Sequence, residues 1–103
     1  MPLSLDKEGH ITKISDWNCQ VALELAKLEN IELTAAHWEL IETVRLFFFE
    51  FEHVPSIRPL SKWIQISLDP EKSGSIYLHK LFPNSPARQL ARIAGLPKPA
   101  KCL

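Results

Sequence analysis

The spacing of hydrophobic residues predicts a helix near the start of the chain. Apolar side chains, among them Leu25 and Leu28, recur at steps of three and four residues, which places them on one helix face. Ser15 or Asp16 is the expected N-cap, because a side-chain oxygen there can accept a hydrogen bond from a free N–H group of the first turn. This helix is expected to end at about Glu29.

The longest apolar stripe lies on the next predicted helix, residues 35–53, for which Thr34 is the expected cap. Aromatic residues at helical spacing are more often core than a ligand site, so we interpret the run FFFEF as part of the core. The side chains expected to face inward are those of Leu40, Ile41, Val44, Phe47, Phe48 and Phe51.

Three further helices are expected in the second half of the chain. Ser56 is the expected cap of the first of them, and the polar run DPEKSGS then forms a loop. Residues 75–82 predict a short helix. Ser85 is the expected cap of the last helix, which has proline at its first position and ends at Gly95.

The start of the chain predicts β-structure. Residues 1–15 have the pattern of a short hairpin with its turn at residues 6–9. The predicted fold class is therefore α+β, a small N-terminal β-hairpin or meander packed on an array of about five helices. The expected division is a globular domain of residues 1–94 and an extended, proline-containing C-terminal arm of residues 95–103.

Composition narrows the possible functions. The chain has 103 residues, is 46% hydrophobic, and carries 12 basic and 12 acidic side chains, so net charge does not indicate a nucleic-acid or membrane partner. No apolar run reaches the roughly 18 residues that a spanning helix needs, and the N-terminus lacks the pattern of a signal peptide. We expect a cytoplasmic protein that does not contact a membrane. The four histidines lack ligand spacing, so neither a metal site nor another cofactor is expected.

The two cysteines lead to different expectations. Cys19 falls near the apolar face of the first helix and is expected to be a small buried side chain. Cys102 lies at the end of the arm, where it is either a reactive thiol that enters another protein's active site or an incidental terminal residue. Lys98 and Lys101 favour its thiolate, whereas the carboxylate of Leu103 opposes it. Charge alone leaves both interpretations open.

The C-terminal run ARIAGLPKPAKCL closely resembles the end of the TusE/DsrC family of sulfur-relay proteins, in which an IAGLPKP-type stretch leads to a penultimate cysteine. The stretches DKEGHI, ENIELTAAHWELI, FEHVPSIRPL and YLHKLFPNSPARQL extend the resemblance over nearly the whole chain. The resemblance implies the same α+β fold. It also implies that Cys102 carries sulfur as a persulfide, in a carrier-type sulfurtransferase rather than a stand-alone enzyme.

One position separates the branches of this family. DsrC proper has a second cysteine eleven positions before the penultimate one, and Ala91 stands there in this chain. The resemblance is therefore to the single-cysteine, TusE-like branch. It implies that sulfur comes from a TusBCD-type complex. The sulfur then passes to an MnmA-type thiouridylase, which makes 2-thiouridine at the tRNA wobble position.

Basic side chains in the second half of the chain are candidates for partner docking, since Lys and Arg outnumber Asp and Glu there. Arg58 and Arg92 rank highest because they lie in the matching stretches. The full set is Arg58, Lys80, Arg88, Arg92, Lys98 and Lys101, with His79 beside them.

Two other functions stay open. The chain can be a DsrC-like partner or regulatory subunit of sulfur-oxidation or sulfite-reductase machinery. It can also be a helix-turn-helix DNA-binding regulator, although SIRPLSKWIQIS offers few base-reading side chains and the net charge is zero, so direct DNA binding is not expected.

Overall fold

The computed structural model of this chain describes residues 5–7 and 9–97. Short 3₁₀ turns at Ile14–Asp16 and Pro70–Ser73 flank longer elements. The α-helices of the described residues are α1 (Cys19–Leu28), α2 (Ala35–Phe51), α3 (Ile57–Ser67), α4 (Ser75–Leu81) and α5 (Pro86–Ile93).

The predicted α+β class is wrong, because the described part of the chain contains five helices and neither a strand nor a sheet. Where the hairpin was expected, Leu5 and Ile11 form one isolated antiparallel bridge. The N–H of Asp6 donates to the carbonyl of His10 at 2.7 Å and closes the turn. A 3₁₀ turn begins at Ile14, only three residues after the bridge, which leaves little room for a second strand. Residues 1–4, the start of the predicted hairpin, lie outside the described residues.

The N-terminal cap of α1 differs from the prediction. The helix begins at Cys19, and the Asn18 side chain accepts a hydrogen bond from the N–H of Val21 at 2.9 Å. Ser15 and Asp16 lie in the preceding 3₁₀ turn instead. The sequence pattern placed the start of α1 too early because Ser15 and Asp16 are cap-forming residue types close to the helix, although they lie within the turn.

The remaining helix starts were predicted correctly. Thr34 caps α2 in a capping box, in which its N–H donates to Nδ1 of His37 at 3.0 Å. Ser56 and Ser85 stand at the N-cap positions of α3 and α5, although neither side chain makes a capping hydrogen bond.

The core lies between α2 and α5, and α5 packs against each of the other four helices. Most of the predicted stripe of α2 is buried there, but Phe51 is 47% exposed and Leu28 of α1 is 62% exposed. Both lie in the last turn of their helix, and Phe51 still packs edge-on against the Trp63 ring of α3 at 5.5 Å between ring centres. In α5, Leu90, Ala91 and Ile93 are fully buried, which fixes the end of this helix within the body.

Within residues 5–7 and 9–97, no helix is long and apolar enough to cross a membrane. The division between a domain of residues 1–94 and an arm of residues 95–103 stays a prediction, since residues 98–103 lie outside the described residues.

Candidate functional site

The predicted site residues Cys102, Lys98 and Lys101 lie outside the described residues. The structure does describe the point from which the chain leaves the body toward them. We call Ile93–Pro97 the arm root. Its residues up to Leu96 are fully buried, and Pro97 is the first exposed residue after α5.

The backbone of the arm root ends α5 in a Schellman motif. The N–H of Leu96 donates to the carbonyl of Ala91 at 2.9 Å, and the N–H of Gly95 donates to that of Arg92 at 3.1 Å. Gly95 has a φ of 74°, and a Cβ atom there would overlap the ring of Trp17. The position therefore requires glycine both for its backbone conformation and for its close approach to Trp17.

Side chains from three separate segments hold the carbonyl groups of the arm root. Nε1 of Trp17 donates to the carbonyl of Ile93 at 2.8 Å. Nη1 of Arg45 donates to that of Ala94 at 2.5 Å. Nδ1 of His10 lies 3.0 Å from the carbonyl of Leu96 and carries the proton, since a carbonyl oxygen only accepts. We call the side chains of His10, Trp17 and Arg45 the carbonyl clamp.

Arg45 also contacts another member of the carbonyl clamp, Trp17. Its guanidinium lies 4.0 Å from the centre of the Trp17 ring and 5.2 Å from that of Phe49, which is cation–π geometry. Burial lowers the pKa of Arg45, but an arginine stays charged at any physiological pH. The clamp therefore places a positive charge beside the carbonyl of Ala94, at the negative end of the α5 dipole.

A second polar cluster joins α5 to the end of α1. The buried carboxylate of Glu29 accepts hydrogen bonds from Gln89 at 3.0 Å, from Arg88 at 3.2 Å, and from Arg92. Arg92 donates as well to the carbonyl of Gly9 at 2.9 Å. Burial opposes the ionisation of Glu29, but these hydrogen bonds and the charge of Arg88 outweigh it and lower its pKa to about 2.

The structure divides the predicted docking residues into two kinds. Arg88 and Arg92 are partly buried and share the Glu29 carboxylate, so both have a structural task. Arg58 on α3 and Lys80 on α4 are exposed and form no ion pair with any of the described residues. A docking role for this set stays a prediction.

Cys19 is not the buried residue that was expected. It is an exposed free thiol at the first position of α1, ahead of the turns that pack against the core. It lies at the edge of a groove of about 470 Å³ that Trp17, Arg45 and Phe49 also line. The groove therefore adjoins the arm root, and Cys19 is within reach of solvent beside it.

The clamp residues were missed because sequence gives no signal for a side chain that bonds to a distant backbone carbonyl. His10 follows the turn glycine in DKEGHI, and nothing in that stretch indicates that its partner is Leu96. The described residues include no cluster of three or more His, Cys, Asp or Glu side chains that could hold a metal ion.

Comparison with known proteins gives the chain its family. The model of the DsrC-like protein family matches residues 1–103. A sulfurtransferase TusE from Buchnera aphidicola subsp. Acyrthosiphon pisum is 52% identical over 101 residues, which cover 98% of this chain and 89% of that protein.

Solved structures agree. The NMR structure of DsrC from Allochromatium vinosum matches with a TM-score of 0.88 and 42% identity, covering 98% of this chain and 90% of that one. The oxidised γ-subunit of the dissimilatory sulfite reductase (DsrC) from Archaeoglobus fulgidus matches with a TM-score of 0.83 and 38% identity, covering 98% and 92%. The match includes the arm root at the end of α5 and the terminal run that follows it. This chain is thus a member of the DsrC-like family.

Proposed function

We propose that this protein is a sulfur-relay carrier that accepts sulfur on Cys102 from a TusBCD-type donor and passes it to an MnmA-type tRNA thiouridylase. The observation that carries the proposal is its similarity, over 98% of its length, to a protein named sulfurtransferase TusE. The protein would act in the cytoplasm, without a cofactor, as a carrier whose partners supply most of the catalytic groups.

The proposed reaction is thiol–persulfide exchange. The Cys102 thiolate attacks the outer sulfur of a donor persulfide, the donor's S–S bond breaks, and the donor cysteine leaves as a thiolate. Cys102 then carries the extra sulfur as a persulfide. A thiolate of the acceptor takes that outer sulfur in the second step and regenerates the Cys102 thiolate, so the relay needs no net oxidant.

The arm root supports this proposal because it gives the carrier a fixed starting point. Cys102 is the fifth residue after Pro97, so the thiol can reach at most about 17 Å beyond the last described residue. Such a reach is enough to enter the active-site cleft of a partner that docks on the body. The exposed Arg58 and Lys80, together with Lys98 and Lys101, would attract an acidic partner or one that holds tRNA. Arg88 and Arg92 would contribute through whatever part of their charge Glu29 leaves uncompensated.

A DsrC-like role in sulfite-reductase machinery is the second candidate, and the structural similarity to the Archaeoglobus γ-subunit favours it. Ala91 argues against its two-cysteine form, because the position is occupied by a methyl group that is fully buried in α5. The DNA-binding alternative gains no such support, since the relatives named above are sulfurtransferases and sulfite-reductase components.

Reconstitution of the relay tests the proposed function. A persulfidated TusBCD-type donor, an MnmA-type enzyme and its tRNA are combined with wild type, Cys102→Ser or Cys19→Ser, and 2-thiouridine is measured by mass spectrometry of nucleosides. We expect wild type and Cys19→Ser to support thiolation and Cys102→Ser to abolish it. Thiolation that proceeds with Cys102→Ser would overturn the proposed role of Cys102. Failure with wild type would favour the sulfite-reductase alternative.

A further inference from the structure

We propose that the carbonyl clamp is a positioning device for sulfur transfer, in which His10, Trp17 and Arg45 fix the place and direction from which the arm leaves the body. The inference rests on the proposed function, because it concerns how Cys102 reaches a protein partner. These three residues are positioning residues, since none of them is placed against the reacting sulfur.

The clamp adds hydrogen bonds to a helix end that the backbone alone already closes. The Schellman motif pairs the carbonyls of Ala91 and Arg92 without any side chain. The clamp then pairs the next carbonyls, those of Ile93, Ala94 and Leu96, with donors from segments 49 to 86 residues away. The backbone is therefore held one residue past the αL residue Gly95, as far as Leu96, the last buried residue among those described.

The ring of His10 is fully buried. Nδ1 bonds to Leu96, but Nε2 has no hydrogen-bond partner among the described residues. Native proteins rarely leave a buried polar atom unpaired, because the loss of its hydration is not compensated. The ring therefore makes one hydrogen bond, to the carbonyl of Leu96, while Nε2 loses its hydration without gaining a partner among the described residues.

The clamp also sets the length of the tether that carries the thiol. With the clamp closed, the body holds the chain as far as Leu96, and Cys102 stands six residues further along the sequence, so its encounter with a docked partner is intramolecular over a short tether. If the clamp opened, the tether would begin nearer to Ile93 and would therefore be longer. The direction in which the chain leaves the body would also no longer be fixed. Both changes lower the effective concentration of the thiol at the partner's reacting sulfur.

Trp17→Phe and His10→Phe test the inference, each in the full chain with Cys19→Ser so that Cys102 is the one thiol. Phe at position 17 keeps a ring against Gly95 and removes one N–H donor. Phe at position 10 removes one bond, since Nε2 makes none. The matched control is Trp63→Phe, which deletes the same kind of bond, from the indole to the carbonyl of Thr43 at 2.9 Å, between α3 and α2.

The readouts separate positioning from stability. One is the rate of sulfur uptake from a sub-saturating persulfidated TusBCD-type donor complex, and the other is the rate at which Cys102 reacts with the small disulfide reagent DTNB. Thermal unfolding reports how far each variant is destabilised.

We expect both clamp variants to slow uptake from the protein donor by roughly fivefold while the DTNB rate stays within about twofold of wild type. Trp63→Phe should be destabilised to a similar extent and keep the wild-type uptake rate. Uptake that is equal in Trp17→Phe and Trp63→Phe, or that falls in step with the DTNB rate, would overturn the inference. A wild-type protein that takes up no sulfur from the active donor would instead refute the proposed function itself.

Discussion

At the residue scale, a few polar side chains tie the two ends of the described chain together. His10 and Arg92 connect the N-terminal turn to α5 and its end, and Glu29 connects the end of α1 to the same helix. Their partners are either backbone groups or side chains about 60 to 90 residues away in sequence. Residue type alone does not indicate such pairs, because every residue has a carbonyl group.

Stability should depend on pH through Glu29. Its pKa is about 2 in the folded protein against 4.5 for an ordinary glutamate, so the folded state favours the ionised form. The stabilisation is complete above about pH 5 and is lost as the pH falls toward 2, because the unfolded chain binds the proton first. The shift corresponds to about 3 kcal/mol.

Urea unfolding of wild type and Glu29→Gln at several pH values measures this contribution. We expect the advantage of wild type over Glu29→Gln to shrink steadily between pH 5 and pH 2. A difference that stays constant over that range would show that the Glu29 carboxylate is not stabilised in the folded state. Glu24→Gln, at an exposed position of α1, is the control, and its stability should follow that of wild type.

Docking is best tested at Arg58 rather than at Arg92. Arg92→Glu would place a second carboxylate beside Glu29 and would damage the fold, so a loss of binding would have two explanations. Arg58 is exposed and unpaired among the described residues, so Arg58→Glu should weaken binding to a TusBCD-type or MnmA-type partner by roughly three- to tenfold at low salt.

Lys27→Glu makes the same change of charge on α1 and serves as the control for long-range charge. Titration calorimetry at two salt concentrations measures both variants. Equal affinities for wild type and Arg58→Glu, with the same salt dependence, would remove Arg58 from the docking surface.

At the element scale, helices were predicted well where their ends carry local signals. Thr34 begins α2, Ser85 and Pro86 begin α5, and Gly95 follows its end, as the sequence indicated. The prediction of an N-terminal hairpin was wrong because a turn sequence does not indicate whether strand pairing continues beyond the turn. Cys19 was misplaced because its exposure depends on where α1 starts, which the cap at Asn18 decides.

The end of α5 should be sensitive to any side chain at Gly95. Gly95→Ala would force an L-residue to a φ of 74° and push its Cβ into the Trp17 ring, so we expect a loss of about 2–4 kcal/mol. Gly74→Ala is the control, because its φ is −69° and the nearest atom to an added Cβ is 3.9 Å away. Denaturant unfolding measures both, and equal losses would show that the arm root tolerates a side chain there.

At the scale of the whole molecule, the described residues form a helical body in which distant side chains hold the backbone just before the terminal run. The core helix α2, the end of α5 and the N-terminal turn converge on the arm root. The family could be identified from the terminal run and the matching stretches before it, since these motifs are local, and the role of Cys102 stays a prediction. The carbonyl clamp could not, because it exists only when four distant segments are brought together by folding.

Intact-protein mass spectrometry tests the central claim, that Cys102 carries sulfur, most directly. Wild type, Cys102→Ser and Cys19→Ser are each incubated with a persulfidated donor complex whose activity is established independently. We expect a gain of about 32 Da, one sulfur atom, on wild type and on Cys19→Ser and no gain on Cys102→Ser. A gain on Cys102→Ser that is absent from Cys19→Ser would identify the exposed thiol of α1 as the carrier and contradict this account.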